Sequence, residues 1–315
     1  VVKATPIPIQ EPAVPTVNPG KLTIMVPDFA SERFDRLWTA GEGANSYMIY
    51  LHSALVESDA NRNMVPGIAT EWSISQDGSS YSYKIRKGVK FHDGTSFDAA
   101  DVVYTLEHVR DPKFDSPAAS VISMVDTIEA VDPLTVKMKL KAPYADLALQ
   151  LMDYRMRMIP EGSADTIATT GIGTGPFILV TLDPEGTTVL KANPDYWEGP
   201  PGVETIEIIG ISDTQALVQA LLSGQIDMLG YGDLSGQQLA LFKNNSKFKV
   251  LSVKTGDWMG IVFRTDTAPF TDARVRKALR IAADRQAIID LVLGPDGGVV
   301  TCDHPVRSGD QYRAP

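Results

Sequence analysis

The chain predicts an α/β fold built from more than one domain. Three observations carry that expectation. Residues 204–253 run strand, helix, strand, helix, strand, the order that builds parallel β/α units. Residues 81–140 instead hold short alternating strands, tight turns and a hairpin signal. The chain is 315 residues long, about two domains' worth, with 43% hydrophobic and 22% charged residues.

Each element has a local reason. The first twenty residues carry Pro6, Pro8, Pro12, Pro15 and Pro19. Proline supplies no N–H to a ladder and restricts φ, so residues 1–20 read as an extended tail. KLTIMV (21–26) alternates and reads as the first strand. YSYKIR (81–86) places Tyr81, Tyr83 and Ile85 on one face and Ser82, Lys84 and Arg86 on the other, between turns at Asp77-Gly78 and Asp93-Gly94. The period then changes to helical, with Val102, Val103, Leu106 and Val109 on one stripe. Asp98 is placed as the N-cap and Asp101 in the first turn, where carboxylates satisfy open N–H groups and oppose the helix dipole. TIEAV and TVKMKL flank Asp132-Pro133 as a hairpin.

ETIEIIGI (204–211) reads as a strand, and the helix after it starts at Asp213 and stops at Gly224. IDML (226–229) is a short strand, 235–243 a helix, and FKVLSV (248–253) another strand. WMGIVF (258–263) reads as extended. Two helices follow, capped by Asp272 and Asp284, the second stopped by Gly294-Pro295.

Composition removes several function classes. The net charge is −10, whereas nucleic-acid binders gain affinity by neutralising phosphates with Lys and Arg. An anionic membrane surface is disfavoured for the same reason. The single cysteine, Cys302, allows no intrachain disulfide and no cysteine zinc cluster. No apolar run reaches the ~18 residues of a membrane span. The chain begins at Val1 without a basic-plus-apolar leader, so the numbering is expected to start after a processed or trimmed N-terminus.

His92 beside Asp93, with Asp98 and Asp101 beyond, could be an acid, a base and two carboxylates of a hydrolase. Adjacent side chains point apart, however, and HDG is a turn signal. The turn is the stronger reading. His52, His108 and His304 show no metal-ligand spacing, and Cys302 with His304 is a lone CxH. No metal site is expected. GIGTGPF (171–177) leads into FILVTL, a strand, whereas a phosphate cradle leads into a helix. It reads as a bend where segments pass closely. GxSxG, HExxH and GxxxxGK[ST] are absent. Trp72 and Trp197 read as structural. Trp258 stands where the β/α section gives way to the helical end, a position suited to a ligand cleft, and is a candidate ligand contact.

Five motifs then fall in one order: ATEWSISQDGSSYSYKIRKGVKFHDGTSFDAADVVYTLEHV (69–109), GTGPFIL (173–179), NPDYWEGPPGVETIEI (193–208), SGQIDM (223–228) and FRTDTAPFTDARVRKALRIAADRQAII (263–289). Together they resemble the extracytoplasmic solute-binding proteins of ABC importers, the family 5 group with dipeptide-, oligopeptide- and nickel-binding members. The resemblance covers nearly everything after residue 20.

It implies a two-lobed, periplasmic-binding-protein-like α/β fold, type II and cluster C-like. The first-lobe core would comprise 21–46 and 171–257, with an inserted subdomain at 47–170. The second lobe would start at 258–315 and be incomplete, because family members are considerably longer. The implied function is capture of a small solute, peptide foremost, between the lobes. A hinge closes on it, and an ABC permease receives it. No cofactor and no nucleic acid is implied, the protein would be a monomer, and its location would be periplasmic or extracellular, as a tethered lipoprotein. The ligand-lining candidates are Asn45, Tyr47, Tyr231, Asp257 and Trp258. Asp257 could anchor an amino group, or be an ordinary surface carboxylate. The alternatives are a sensory solute receptor of the same fold, or a hydrolase using His92 and Asp93.

Overall fold

The computed structural model describes residues 2–3, 18–26, 44–59, 63–114, 116–183, 186–229, 234–251, 260–294 and 297–300. The chain divides into two compact units, residues 1–232 and 233–315.

The first unit runs β1 (Val2–Lys3), β2 (Asn18–Val26), α1 (Ala44–Leu51), β3 (Val56–Ser58), β4 (Met64–Pro66), β5 (Ala69–Ile74) and β6 (Ser80–Ile85). It continues with α2 (Ala99–Arg110), β7 (Val125–Asp132), β8 (Thr135–Leu140), α3 (Leu147–Gln150), α4 (Ile167–Thr170) and β9 (Phe177–Thr181). β10 (Thr187–Ala192), β11 (Val203–Gly210), α5 (Thr214–Ser223) and β12 (Met228–Leu229) complete it. The second unit holds α6 (Gly236–Lys243), α7 (Ala273–Ala282) and α8 (Arg285–Val292).

Two sheets organise the first unit. One is mixed, in the order β12-β2-β11-β10-β9. β2 is paired in parallel with β11 on one side and β12 on the other, while β11, β10 and β9 pair antiparallel. The crossover from β11 to β12 runs through α5, as a parallel connection requires. Thr23, Ile24, Met25 and Val26 are all buried, the continuous burial of a strand covered on both faces. The other sheet is antiparallel throughout, in the order β1-β5-β6-β8-β7. Here alternation decides the faces: Tyr81, Tyr83 and Ile85 of β6 and Val136, Met138 and Leu140 of β8 are buried. One continuous core joins both sheets, from Ile24, Ile206 and Leu190 to Tyr83, Val102 and Met138.

Helix starts follow the local chemistry. Asp98 caps α2 by accepting from Ala100 N at 2.7 Å, and Asp101 accepts from Asp98 N at 2.9 Å, a capping box. Asp213 caps α5 through Ala216 N at 2.7 Å, and Gly224 ends it at φ +76°. Ser235 caps α6, and Asp272 and Asp284 cap α7 and α8. Replacing Asp98 by Ala leaves the first N–H groups of α2 open. A loss of about 1 kcal/mol is expected, measured as a lower urea midpoint with unchanged slope.

Some elements differ from the sequence expectation. β2 begins at Asn18 rather than Lys21, and Val2–Lys3 pair with Ser73 and Ile74 of β5. Of IDML only Met228–Leu229 forms the strand; Asp227 joins β2 at its edge, its N donating to Thr23 O at 2.8 Å and its Oδ2 accepting from Thr23 N at 2.7 Å. The strand expected over 248–253 is irregular at 248–251, and residues 252–253 lie outside the described residues. The extended segment expected at 258–263 is likewise irregular at 260–263, with 258–259 outside them. A strand exists only with a partner, and none pairs with either segment among the described residues.

In the second unit no residue of α7 or α8 is buried. Leu279, Ile281, Leu291 and Val299 are exposed. The start of α6 and the end of α8 come close enough that a Cβ on Gly236 would lie 2.6 Å from Gly294 Cα.

Candidate functional site

In open α/β sheets, ligands bind beyond the carboxyl ends of the parallel strands. β2, β11 and β12 run parallel, so their ends at Val26, Gly210 and Leu229 share one edge of the mixed sheet. Tyr231 stands two residues past Leu229 in the chain. Tyr231, Asp257 and Trp258 lie outside the described residues, as do Cys302 and His304. Asn45 and Tyr47 have their backbone in the first turns of α1, while their side chains are not described. Around them, Met48 and Leu51 are buried and Ile49 is 46% exposed.

The position of α1 is set at its C-terminal end. Gly175 N donates to Leu51 O at 2.9 Å, so the glycine-rich bend closes on the last turn of the helix. A Cβ on Gly173 would lie 2.1 Å from Leu51 O, and one on Gly175 would lie 2.5 Å from Tyr50 O. These glycines are there because backbone passes against backbone, not to cradle a phosphate.

His92 closes the same bend from the other side. Its backbone N donates to Gly173 O at 2.9 Å. Its Nδ1 accepts from Gly173 N at 3.2 Å, so Nε2 carries the proton and donates to Gly175 O at 3.1 Å. Gly175 O also accepts from Asn193 Nδ2 at 2.9 Å. Asp93 turns away: its Oδ1 accepts from Thr95 N at 3.0 Å and Thr95 Oγ1 at 2.6 Å. Both ring nitrogens of His92 are engaged with backbone, which leaves neither for an acid–base pair with Asp93. Burial holds the His92 pKa below the usual histidine value.

His52, next after α1, is fully buried. Its Nδ1 lies 3.4 Å from Met158 O, and its Nε2 has no hydrogen-bond partner among the described residues. Burial first, then the neighbouring His92, lower its pKa to about 3, so it is a neutral imidazole. Nothing in the sequence pattern marks His52 or ties His92 to the glycine bend. The motifs HDG and GTG are visible, but they meet across 81 residues.

Trp72 and Trp197 do structural work. Trp72 stacks on Tyr83 with ring centroids 6.4 Å apart. Trp197 donates from Nε1 to Ser53 Oγ at 3.2 Å and lies under the Arg86 guanidinium, 4.5 Å from its ring centroid. A surface depression of about 530 Å³ is lined by Tyr104, Glu107, His108, Arg110, Asp111 and Pro112, at the end of α2 and not at the parallel strand ends. Arg110 there is held by Glu107 at 2.6 Å and by Asp126 O at 2.9 Å. Among the described residues, no group of three His, Cys, Asp or Glu side chains is placed to hold a metal ion. No helix among them is long and apolar enough to cross a membrane.

Known proteins share this arrangement. The profile of the bacterial extracellular solute-binding proteins, family 5 Middle, matches residues 63–308. Heme-binding protein A of Haemophilus influenzae is 28% identical over 279 residues, which is 80% of this chain and 51% of that protein. Di/tripeptide-binding protein 2 of Pseudomonas aeruginosa is 26% identical over 293 residues, 84% of this chain and 55% of that one. The structure of NikZ from Campylobacter jejuni in complex with Ni(L-His) superposes with a TM-score of 0.77 at 26% identity, covering 86% of this chain and 54% of NikZ. The chain spans about half the length of the relatives it matches. The fold is that of the two-lobed binding proteins, with the second lobe present in part. With the profile match running through most of its length, the chain belongs to the bacterial extracellular solute-binding proteins of family 5.

Proposed function

We propose that the full-length protein is the substrate-binding component of an ABC transporter. It takes a small solute between two lobes, closes about a hinge and delivers the solute to a membrane permease. The observation that carries this reading is the family match through residues 63–308, which takes in β5 to β8 of the antiparallel sheet, β9 to β12 of the mixed sheet and most of the second unit. The protein is a binder, not a catalyst, and the engagement of both His92 nitrogens with backbone supports that against the hydrolase reading.

Peptide is the favoured solute. One relative is named for di- and tripeptides and one structure carries an L-histidine complex of nickel. Both ligands share the amino and carboxylate groups of an amino acid. The heme-binding relative marks the other end of the range. The proposed contacts are Asn45, Tyr47 and Tyr231 from the first lobe, with Asp257 and Trp258 where the chain passes on toward the second. Closure follows only from contacts the solute makes to both lobes. The location is extracytoplasmic, in the periplasm or tethered outside the membrane, and the working unit is a monomer.

Native mass spectrometry of the full-length protein, purified without denaturation, tests the solute. Adducts of peptide mass are expected. A heme or nickel–histidine mass in their place would replace the peptide assignment, and failure to bind any of the three would sink the transport reading. Trp258→Ala should weaken the bound peptide by about 1–3 kcal/mol in calorimetric titration. Unchanged affinity removes Trp258 from the site.

A further inference from the structure

His92 belongs to the motif that identifies the family, yet it takes no part in the proposed solute contacts. The geometry points to His92 as a proton-sensitive positioning residue. In its neutral form it holds the 171–175 bend against the C-terminal end of α1, and protonation releases that bend.

The argument is one of donors and acceptors. Neutral His92 offers an acceptor at Nδ1 and a donor at Nε2, and the bend presents a donor at Gly173 N and an acceptor at Gly175 O. The two sets match in one tautomer only. A proton added at Nδ1 turns an N···H–N bond into two N–H groups facing one another. The bend must then move, and it is wedged between the ring and the last turn of α1, where Gly173 and Gly175 leave no room for even a Cβ. Displacement therefore acts on the Gly175 N to Leu51 O bond and on α1.

The surroundings favour the neutral ring. The bend itself, GIGTGPF, carries no titratable side chain. Asp93, on the same turn as His92, favours protonation. His52, from the segment after α1, is itself held neutral by its burial, with His92 and Arg157 both lowering its pKa. Gly171 and Gly175 carbonyls favour the protonated ring, but burial outweighs them. Opening the bend exposes His92 to water, where its pKa returns to 6.5. Linkage then raises the opening equilibrium as pH falls, by up to about 30-fold at pH 5.0 relative to pH 7.5. A consequence for solute affinity, through Asn45 and Tyr47 on α1, rests on the function proposed above. The release of the bend does not.

Hydrogen exchange read by mass spectrometry tests it, on segments 171–175 and 48–53 at pH 7.5 and 5.0. Rates are corrected for the pH dependence of chemical exchange. Wild type should lose protection in both segments at pH 5.0. His92→Asn keeps an acceptor for Gly173 N but does not titrate, so its protection should change far less, while His52→Asn should retain the loss. No loss in wild type, or a loss as large in His92→Asn as in wild type after subtracting the change in global stability that urea unfolding gives at each pH, overturns the proposal. Should His92→Asn fail to fold, ¹⁵N NMR of the wild type decides. The His92 ring should be protonated at Nε2 at pH 7.5, and the Gly173 amide should titrate with it. An Nδ1-protonated ring, or a Gly173 amide that ignores the titration, overturns the proposal equally. Because neither readout needs a solute, failure here and failure of the transport reading are separable.

Discussion

Gly173→Ala is expected to destabilise the first unit by about 3 kcal/mol or more, read as a lower urea midpoint. The added Cβ would lie 2.1 Å from Leu51 O and 2.5 Å from His52 Nδ1. Neither can yield cheaply. Leu51 O belongs to the helix backbone and accepts from Gly175 N, and the His52 ring is enclosed on all sides. Overpacking of this kind moves backbone, whereas a clash with a flexible side chain costs only a rotamer. Gly175→Ala should behave alike, since its Cβ would meet Leu51 C and Tyr50 O at 2.5 Å. Gly88→Ala meets nothing within 4 Å but sits at φ +83°, so it reports backbone strain alone and should cost less. A Gly173→Ala protein as stable as wild type would mean that the bend does not pass α1 this closely.

Acid should destabilise the same unit well before its carboxylates titrate. His52 is neutral in the fold, with a pKa of about 3 against 6.5 when exposed. The unfolded chain therefore binds a proton below pH 6.5 that the folded chain refuses. The stability contribution is whole above pH 6.5 and is lost progressively as pH falls toward about 3. At pH 4.5 the loss from this one group is about 2.7 kcal/mol, at 1.36 kcal/mol per pH unit. His92, shifted in the same direction by its burial, adds to it. Urea unfolding at pH 7.5 and 4.5 measures the difference. His52→Asn should shrink that difference whatever it does to absolute stability. An equal acid loss in wild type and His52→Asn would assign the effect to other groups.

These two expectations come from the part of the molecule that was least legible in the sequence. The helix starts were plain, because a cap is a contact between near neighbours: Asp98 with Ala100 and Asp101, Asp213 with Ala216, Ser235 with Gln238. The faces of β6 and β8 were plain too, since alternation survives in the burial of Tyr81, Tyr83, Val136 and Met138. The β/α pattern of 204–229 agrees with β11 and β12 running parallel, whereas the place of β2 between them was not in the pattern. Residues 248–251 form no strand although their hydrophobic pattern was good. Strand formation there required a neighbour that periodicity does not report. Of the candidate site, only the parallel strand ends at Val26, Gly210 and Leu229 and the backbone of Asn45 and Tyr47 lie among the described residues.

What the sequence determined by itself was local: caps, turns, alternation, and the order of motifs that places the chain in its family. What only the tertiary structure decided was the work of the HDG turn. His92 and Gly173 are 81 residues apart, and a hydrogen bond is satisfied in space, not along the chain. The imidazole that looked like half of an acid–base pair became a clamp because a glycine bend, pressed against the end of α1, offered one donor and one acceptor at the spacing of its two nitrogens.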